Sequence, residues 1–515
     1  MKLFFKFSAL VASAILAGAT ISSCNEGDYI DAAAEEKPEQ TGLPTITLAI
    51  PADGLTLAVG TTYTIVAEVA NSESADFGIL WSVDGQEVST STSMTFEATA
   101  VGTYKVEIDT RNSDGTDSRQ FDIHVVEHLP YELNFPSQSL TAPSTTRYTF
   151  PGRPVVLKPW MSGLTDPAFA WTVDGKAVSA DGQTFVFTPS EPGQHIVAVT
   201  ATDSSASGTA SASVKVVCVD SSEDQRYRAA TGSSKAKCTA VFEYAPAPGQ
   251  FINDTNFGGM TAPILTMADA CAWALDRLDN GYFVSLGAYG GTVTVGFDHS
   301  IQASGATQYD FAVGGNAFES TVSRRGSNEA GIVWVSQDVN GNGLPDDEWY
   351  ELRGSEDDQP TTLRDYAVTY YRPTGSGMNV LWTDSQGESG QVDYLSFVHP
   401  QPSYWPAWID MESMTRRGTR LRDRTFNDGR YWSCSPMEWG YADNYGSDVL
   451  PSSGDAASGE GQRNGMRISN ARMADGSLIA LKYIDFIKVQ TGVNAKMGGM
   501  GEISTEVTSV EDLNL

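Results

Sequence analysis

An internal repeat constrains the fold of this chain more than any other feature of its sequence. The segment Trp81-Ser82-Val83-Asp84-Gly85 recurs as Trp171-Thr172-Val173-Asp174-Gly175, and residues 102–106 recur in similar form as residues 193–197. Each copy ends in a run of alternating polar and apolar residues, at 121–126 and at 212–217, which is typical of a half-buried strand. A Trp on a strand that leads into an Asp-Gly hairpin turn is usually a core residue. The repeat therefore predicts two small all-β units.

The two units resemble a known family of modules. A core Trp followed by Gly102-Thr103-Tyr104 in one copy, and by Gly193-Gln194-His195 in the other, is similar to the PKD-like branch of immunoglobulin-like sandwiches. The resemblance implies two tandem Ig/PKD-like β-sandwiches, at residues 42–127 and 128–220. We expect Trp81 and Trp171 to be core residues and not ligand platforms. We also expect the two units to act as spacers that hold a third domain away from a membrane.

The first residues predict export and lipidation. Lys2 and Lys6 precede an apolar run at 10–17, which is too short to span a bilayer and is typical of a signal peptide. The run ends in Ile21-Ser22-Ser23-Cys24, which resembles a lipoprotein signal, so we expect a signal peptide at 1–23 and acylation of Cys24. An ordinary secretory signal with a chance cysteine is the alternative.

Residues 24–41 contain little apolar surface and are predicted to form an acidic tether. The acidic stretch that follows Cys24, at 25–31, resembles the surface-export signal of Bacteroidetes lipoproteins. This resemblance implies a lipid-anchored protein on the outer membrane that faces the cell exterior, with the acyl chains as its only membrane contact. A periplasmic location is the alternative.

Charge and cysteine content restrict the classes of partner. The chain has 64 acidic and 33 basic side chains and a net charge of −31, which argues against nucleic acid as a partner. Besides Cys24 it contains Cys218, Cys238, Cys271 and Cys434, enough for two disulfides in an oxidising compartment. The spacing selects no pairing, and four buried free thiols are the alternative.

Residues 221–515 form the predicted third domain, which contains eight of the eleven Trp residues. Alternating runs at 291–297, 331–335 and 366–371 predict strands, and residues 267–278 have the spacing of an amphipathic helix. The predicted fold class is therefore all-β: two Ig/PKD-like sandwiches followed by a larger jelly-roll-like β-sandwich that binds a ligand.

The segment 338–348 predicts a structural calcium site. Asp338, Asn340, Asn342 and Asp346 occupy loop positions one, three, five and nine, with Gly343 at position six and the Leu344 carbonyl at position seven. This is the spacing at which a loop wraps Ca²⁺, although Trp349 replaces the usual Glu at position twelve. Glu348 is the residue we expect to close the coordination shell, with Asp347 as an alternative. A turn without metal is the other interpretation.

An aromatic and basic segment predicts a ligand site. Aromatic side chains provide contact area, and Arg provides paired hydrogen bonds, for a ring-containing ligand with polar or anionic groups. The candidates are Tyr404, Trp405, Trp408, Arg416, Arg417, Tyr431, Trp432 and Trp439. The alternative is that half or more of these aromatics belong to the core.

Signatures of catalysis are mostly missing from the sequence. The third domain has only His299 and His399, and neither an H-E-x-x-H nor a G-x-S-x-G motif occurs. Acidic residues are numerous, but a glycosidase needs two carboxylates at a defined separation that sequence does not show. We therefore expect a binding protein and not an enzyme.

Three stretches of the third domain, at 243–253, 314–352 and 483–489, resemble a family of Bacteroidetes surface lipoproteins encoded beside outer-membrane corrinoid transporters. The resemblance spans most of residues 238–510. It implies capture of a corrinoid such as vitamin B12 for delivery to a TonB-dependent transporter. The alternatives are a carbohydrate-binding lipoprotein, for which a flat row of exposed Trp is expected, and a structural adhesin, for which buried aromatics and no pocket are expected. A concave site favours the corrinoid.

Overall fold

The computed structural model describes residues 42–51, 53–137, 139, 144–180, 182–204, 208–255, 260, 264–319, 326–450 and 462–515. Over these residues the chain is nearly all-β and its strands form sandwich sheets, which confirms the predicted fold class. The predicted signal peptide, Cys24 and the tether lie outside the described residues. Within the described ranges, none of the helices has the length and apolar character needed to cross a bilayer.

The first sandwich, module 1, has two sheets in the described part of the chain. One sheet has the strand order β2-β8-β7-β4-β5 and the other has the order β1-β3-β6. The apolar residues that alternate along β7 and β8, such as Ile108 and Ile123, are fully buried between the sheets. The strands are β1 Thr45–Leu48, β2 Leu55–Ala58, β3 Thr62–Ala70, β4 Gly78–Val83, β5 Gln86–Ser89, β6 Ser93–Glu97, β7 Gly102–Asn112 and β8 Gly115–Val126.

The second sandwich, module 2, repeats this topology. Its five-stranded sheet has the order β10-β17-β16-β13-β14, and in both modules the first strand of that sheet pairs parallel to the second. Two short pairs, β11 with β15 and β12 with β9, accompany that sheet. The strands are β9 Glu132–Asn134, β10 Thr146–Thr149, β11 Val155–Leu157, β12 Trp160–Ser162, β13 Ala168–Val173, β14 Lys176–Ala177, β15 Phe185–Phe187, β16 Gly193–Thr202 and β17 Thr209–Cys218.

The repeated Trp-x-Val-Asp-Gly motif has the same structure in both modules. Trp81 and Trp171 are buried, and the indole N–H of each donates to a backbone carbonyl at 2.9 Å. Asp84 and Asp174 both have φ of 50°, and the glycines that follow also have positive φ, so both turns have the left-handed geometry that two-residue hairpins require. The expectation that both Trp residues belong to the core is confirmed.

The third domain has a six-stranded sheet of order β18-β20-β34-β24-β25-β33, a four-stranded sheet of order β28-β27-β26-β29 and a three-stranded sheet of order β32-β21-β36. Its helices are α1 Glu223–Arg226 and α2 Met267–Asp279, with 3₁₀ turns at Ile468–Asn470 and Gly498–Met500. The strands are β18 Ala240–Ala245, β19 Val284–Ser285, β20 Thr292–Gln302, β21 Phe311–Gly314, β22 Phe318–Glu319, β23 Gly326–Ser327, β24 Gly331–Ser336, β25 Trp349–Leu352, β26 Leu363–Tyr371, β27 Val380–Asp384, β28 Ser389–Val392, β29 Ser413–Arg420, β30 Thr425–Asn427, β31 Trp432–Cys434, β32 Arg463–Met466, β33 Ala471–Arg472, β34 Tyr483–Thr491, β35 Glu506–Val507 and β36 Ser509–Asp512.

The predicted secondary structure of this domain is confirmed where the sequence pattern was strong. The expected strands correspond to β20, β24 and β26, and the expected helix corresponds to α2. Thr266 caps α2 by accepting a hydrogen bond from the Asp269 N–H, and Ala270, Ala274 and Leu278 form its buried face. The central strand β34 is buried at every position, because it has strands on both sides and side chains over both faces.

Module 1 packs directly against the third domain. Thr374 donates its hydroxyl to the Ile46 carbonyl at 2.8 Å, and Asn379 donates to Glu68 at 2.8 Å. Ala49 of module 1 forms a small buried apolar cluster with Tyr371 and Leu381 of the third domain.

Module 2 also packs against the third domain. Arg153 forms an ion pair with Glu223 at 2.7 Å, and Phe150 and Val219 bury Val339 between them. These contacts show that neither module is a free spacer: both are docked on the domain that they were expected to hold at a distance.

The core position of the repeated Trp gives a stability prediction. We expect Trp81→Ala to destabilise module 1 by about 3–5 kcal/mol, because truncation of a buried Trp leaves a cavity. Urea unfolding measures this loss of stability, and hydrogen exchange of peptides from residues 45–126 assigns it to module 1. Val88→Ala, at a half-exposed position of the same sheet, is the control and should leave exchange unchanged. Equal exchange in the Trp81→Ala variant and the wild type would contradict the core assignment.

Candidate functional site

Three of the predicted ligand-binding aromatics belong to the core. Tyr404, Trp405 and Trp408 are 0%, 2% and 6% exposed, and all three lie in the main apolar cluster of the third domain. Their polar atoms are bonded within the protein: the Trp405 indole donates to the Ile409 carbonyl, and the Trp408 indole donates to the Tyr244 carbonyl, each at 2.9 Å. The prediction that these residues contact a ligand was wrong, because the proline-rich loop that carries them folds inward over β18 and α2.

The two predicted arginines have structural contacts. Arg416 is buried on β29, where it donates to the Pro246 carbonyl at 3.0 Å, and burial lowers its pKa to about 10. Arg417 is exposed at the next position and places its guanidinium 5.2 Å from the centre of the Trp160 ring of module 2. Arg416 therefore supports the core, and Arg417 joins two domains through a cation–π contact.

The remaining predicted aromatics are half-buried and lie elsewhere. Tyr431 and Trp432 belong to the hairpin formed by β30 and β31, and the Trp432 ring packs against Gly498. Trp439 lies in the loop that follows, where its backbone N–H donates to the Ser355 hydroxyl. The eight predicted ligand residues are thus distributed among the core, the module 2 interface and this separate hairpin.

A groove of about 660 Å³ lies between module 2 and the third domain. Module 2 contributes one wall, which includes Phe150, Pro151 and Pro154, and the third domain contributes the other. Asp220 ends the module 2 side, and the residues of the second wall are Ser221, Ser222, Glu223, Gln225, Met473, Leu478, Ile479 and Ala480. Sequence analysis missed the groove because its two walls come from distant segments that carry no shared motif.

The ion pair of Arg153 and Glu223 forms part of the groove wall. Arg153 also donates to Gln337, and its guanidinium lies 4.8 Å from the centre of the Phe150 ring. Burial raises the pKa of Glu223, but hydrogen bonds from Lys482 and Gln337 and the charge of Arg153 outweigh burial and hold this pKa below its usual value. The groove therefore combines an apolar surface with a fixed ion pair at its side.

The predicted calcium loop brings most of its oxygen-bearing side chains together. Both Asp338 oxygens accept backbone N–H bonds, from Asn342 and Gly343, at 3.0 Å. The side-chain amides of Asn340 and Asn342 donate to Asp346 at 3.0 Å. Gly341 and Gly343 both have positive φ, which the tight winding of the loop requires. The Leu344 side chain is exposed, and its N–H donates to the Asn342 side-chain oxygen at 2.7 Å.

Asp347, and not Glu348, completes the set of acidic groups in this loop. One Asp347 oxygen accepts the Val339 N–H at 3.0 Å. Burial, together with the charges of Asp346 and Asp338, raises the Asp347 pKa to about 8. Glu348 points away and forms an ion pair with Arg147 of module 2 at 3.2 Å. The choice of Glu348 as a ligand was therefore wrong, because strand β25 begins one residue later and turns this side chain toward module 2.

A buried group of carboxylates is a feature that the sequence did not reveal. Oxygen atoms of Glu329, Asp443 and Glu506 lie within 4.8 Å of one another. Burial raises the pKa of each of the three carboxyl groups, and the charge of Glu506 adds to the increase at Glu329 and Asp443. Asp443 and Glu506 are almost completely buried, which separates them from a dissolved substrate. No local motif marks this group, because its members are far apart in the chain.

Glu502 is a further buried carboxyl near this group. One oxygen accepts the Gln250 N–H at 2.8 Å, and the other has no hydrogen-bond partner. Burial raises the pKa of Glu502 to about 8, and the charge of Glu506 contributes to the increase.

Comparison with known protein families gives a match within module 1. Residues 43–112 match the family model of the PKD-like domain. A comparison with curated proteins finds no match. Fibronectin(III)-like modules of Clostridium thermocellum CbhA are 18% identical, over 34% of this chain and 94% of that chain, with a TM-score of 0.19. The titin domains z1z2 are 18% identical, over 35% of this chain and 98% of that chain, with a TM-score of 0.16. The chain therefore carries a PKD-like domain, a module type consistent with a surface or adhesin-like protein.

The raised pKa of Glu502 predicts a pH dependence of stability. The pKa of Glu502 is about 8 in the folded protein and has the ordinary value of 4.5 in the unfolded chain. Between these pH values the folded state binds more protons than the unfolded state, so stability falls as pH rises through this range. Glu502→Gln keeps the acceptor for the Gln250 N–H but has no carboxyl group to titrate. Between pH 5 and pH 8 we expect the Tm of this variant to fall by about 3 °C less than the Tm of the wild type.

Differential scanning calorimetry at both pH values measures this difference. The same substitution at the exposed Glu388 is the matched control and should retain the wild-type pH dependence. Parallel pH profiles for wild type and Glu502→Gln would show that Glu502 has an ordinary pKa.

Proposed function

We propose that this protein is a surface lipoprotein that captures a corrinoid in the groove between module 2 and the third domain. In this proposal, acyl chains on Cys24 hold it on the outer face of the outer membrane. The acidic tether then presents the docked domains to the exterior, where the ligand passes to a TonB-dependent transporter.

The groove is the observation that carries the proposal. Its volume of about 660 Å³ falls in the range of sites that bind small molecules, about 300–1,000 Å³. Its apolar wall suits the face of a macrocycle. The groove is open on one side, so it can hold part of a ligand that is larger than its own volume.

The surface does not favour glycan stacking. None of the Trp residues, all of which lie in the described ranges, is exposed, so a flat row of Trp for sugar rings is not present. Binding without catalysis is supported by the burial of Asp443 and Glu506, the best-defined acidic group, and by the usual non-enzymatic role of Ig/PKD-like sandwiches.

A structural adhesin is the second candidate function. Burial of Tyr404, Trp405 and Trp408 is the observation that favours it, because an adhesin was expected to keep these aromatics in its core. The groove counts against this candidate, since a purely structural protein needs no concave site.

Calorimetric titration of residues 25–515 with cyanocobalamin tests the proposal. We expect saturable heat for the wild type and at least tenfold weaker binding for Leu478→Asp. Leu478 is 53% exposed in the groove wall, so the introduced charge should repel an apolar ligand face without unfolding the domain.

Val88→Asp is the matched control, because Val88 is 50% exposed on module 1, away from the groove. It should bind like the wild type. Wild-type affinity in Leu478→Asp would contradict the groove as the site. A wild-type protein that gives no heat with cyanocobalamin would contradict the corrinoid and leave the adhesin as the better account.

A further inference from the structure

Both ends of the loop at 338–348, here called the acidic loop, are attached to module 2. At its start, Val339 is buried with Phe150 and Val219, and the preceding Gln337 accepts a hydrogen bond from Arg153. At its end, Glu348 forms its ion pair with Arg147. Any ligand that orders the acidic loop therefore also acts on the contact between two domains.

The acidic loop contains a buried oxygen without a partner. Asp347 is only 6% exposed, yet its Oδ1 atom has no hydrogen-bond partner, while its Oδ2 atom is held by the Val339 N–H. An unsatisfied buried carboxylate oxygen is unfavourable unless a cation or proton compensates it. Within the described part of the chain, no Lys or Arg forms an ion pair with Asp338, Asp346 or Asp347, although Glu348 has Arg147.

Asp347 also lines a small cavity. The cavity has a volume of about 10 Å³, which is about the space of one water molecule. Asp346 and Asp347 line one side with Pro345 and Trp349, and the module 2 residues Ser137, Ser139, Ser144 and Arg147 line the other. Because Ca²⁺ commonly keeps water among its six to eight oxygen ligands, a water in this cavity could connect a bound cation to module 2.

We propose that the acidic loop binds Ca²⁺ through oxygens of Asp338, Asn340, Asn342, Asp346 and Asp347, and that the bound ion locks module 2 onto the third domain. The carboxylates and amide oxygens are the hard ligands that Ca²⁺ prefers. The side-chain amides of Asn340 and Asn342 must rotate to present oxygen in place of N–H to the centre of the loop. The ion would neutralise the three carboxylates and satisfy the free Asp347 oxygen.

This arrangement makes the domain junction depend on calcium. With the ion bound, the two attachment points at Val339 and Glu348 are held at a fixed separation. Without it, no ion draws the carboxyl groups together, the loop between the two attachment points loosens, and module 2 loses part of its contact. The groove lies at the same junction, but the site requires no ligand in the groove, so the proposal goes beyond the function proposed above.

Calorimetric titration with CaCl₂ and thermal unfolding in CaCl₂ or EDTA, on residues 25–515, test the site. We expect saturable Ca²⁺ binding and a Tm that is at least about 3 °C higher in CaCl₂ than in EDTA. Asp347→Asn should weaken Ca²⁺ binding at least tenfold. Asp358→Asn, at a highly exposed position, is the matched control and should bind Ca²⁺ like the wild type.

Hydrogen exchange tests the lock separately from the site. In the wild type we expect peptides that cover residues 146–157 of module 2 to exchange more slowly in CaCl₂ than in EDTA, and in Asp347→Asn we expect no such difference. Glu348→Gln removes the charge that pairs with Arg147 but none of the proposed ligands, so it should bind Ca²⁺ normally and show a smaller calcium effect in module 2.

Two results would overturn the proposal. A wild-type protein whose Tm and calorimetric signal do not respond to Ca²⁺ has no such site, and this measurement needs no variant that could fail to fold. Calcium binding that leaves exchange of residues 146–157 unchanged would show a site confined to its own loop, without a lock.

Discussion

The ion pair between Arg153 and Glu223 is the interaction on which the arrangement of this molecule depends. Their side chains are only 10% and 14% exposed, and Arg153 also donates to Gln337, directly before the acidic loop. Removal of one partner from a buried pair leaves an uncompensated charge, at a cost of about 3–5 kcal/mol. This contact lies between the groove on one side and the acidic loop on the other, so the groove exists, and the acidic loop is covered, only while module 2 is docked.

Docking changes the role of the two sandwiches. Tandem Ig-like modules that touch neighbours only through short linkers behave as independent bodies, since small interfaces permit relative motion. Here module 1 buries Ala49 against Tyr371 and Leu381. Module 2 adds an apolar cluster, ion pairs with Glu223 and Glu348, and the Arg417–Trp160 contact. Module 2 therefore forms one wall of the groove, and the proposed site belongs to a domain junction and not to a single domain.

Local patterns in the sequence predicted local structure well. The Trp-x-Val-Asp-Gly repeat indicates a buried Trp before a hairpin turn, and the prediction that Trp81 and Trp171 are core residues was correct. The predicted helix was also correct, because α2 has a capping Thr266 and an apolar face. The aromatic segment failed as a ligand site because proline and glycine indicate a loop but not whether that loop folds inward, as Tyr404 and Trp408 do. Glu348 failed as a ligand because its direction depends on Arg147, which is remote in sequence. The groove and the Glu329–Asp443–Glu506 group depend on long-range contacts, for which one sequence contains no signal.

Small-angle X-ray scattering of residues 25–515 tests most directly whether the two modules are docked on the third domain. The account predicts a single compact profile that agrees with scattering calculated from the docked arrangement of the described residues. A profile of three extended, independently moving bodies, with a larger radius of gyration, would contradict it. In that case the groove would not exist as a fixed site, and the acidic loop would face solvent.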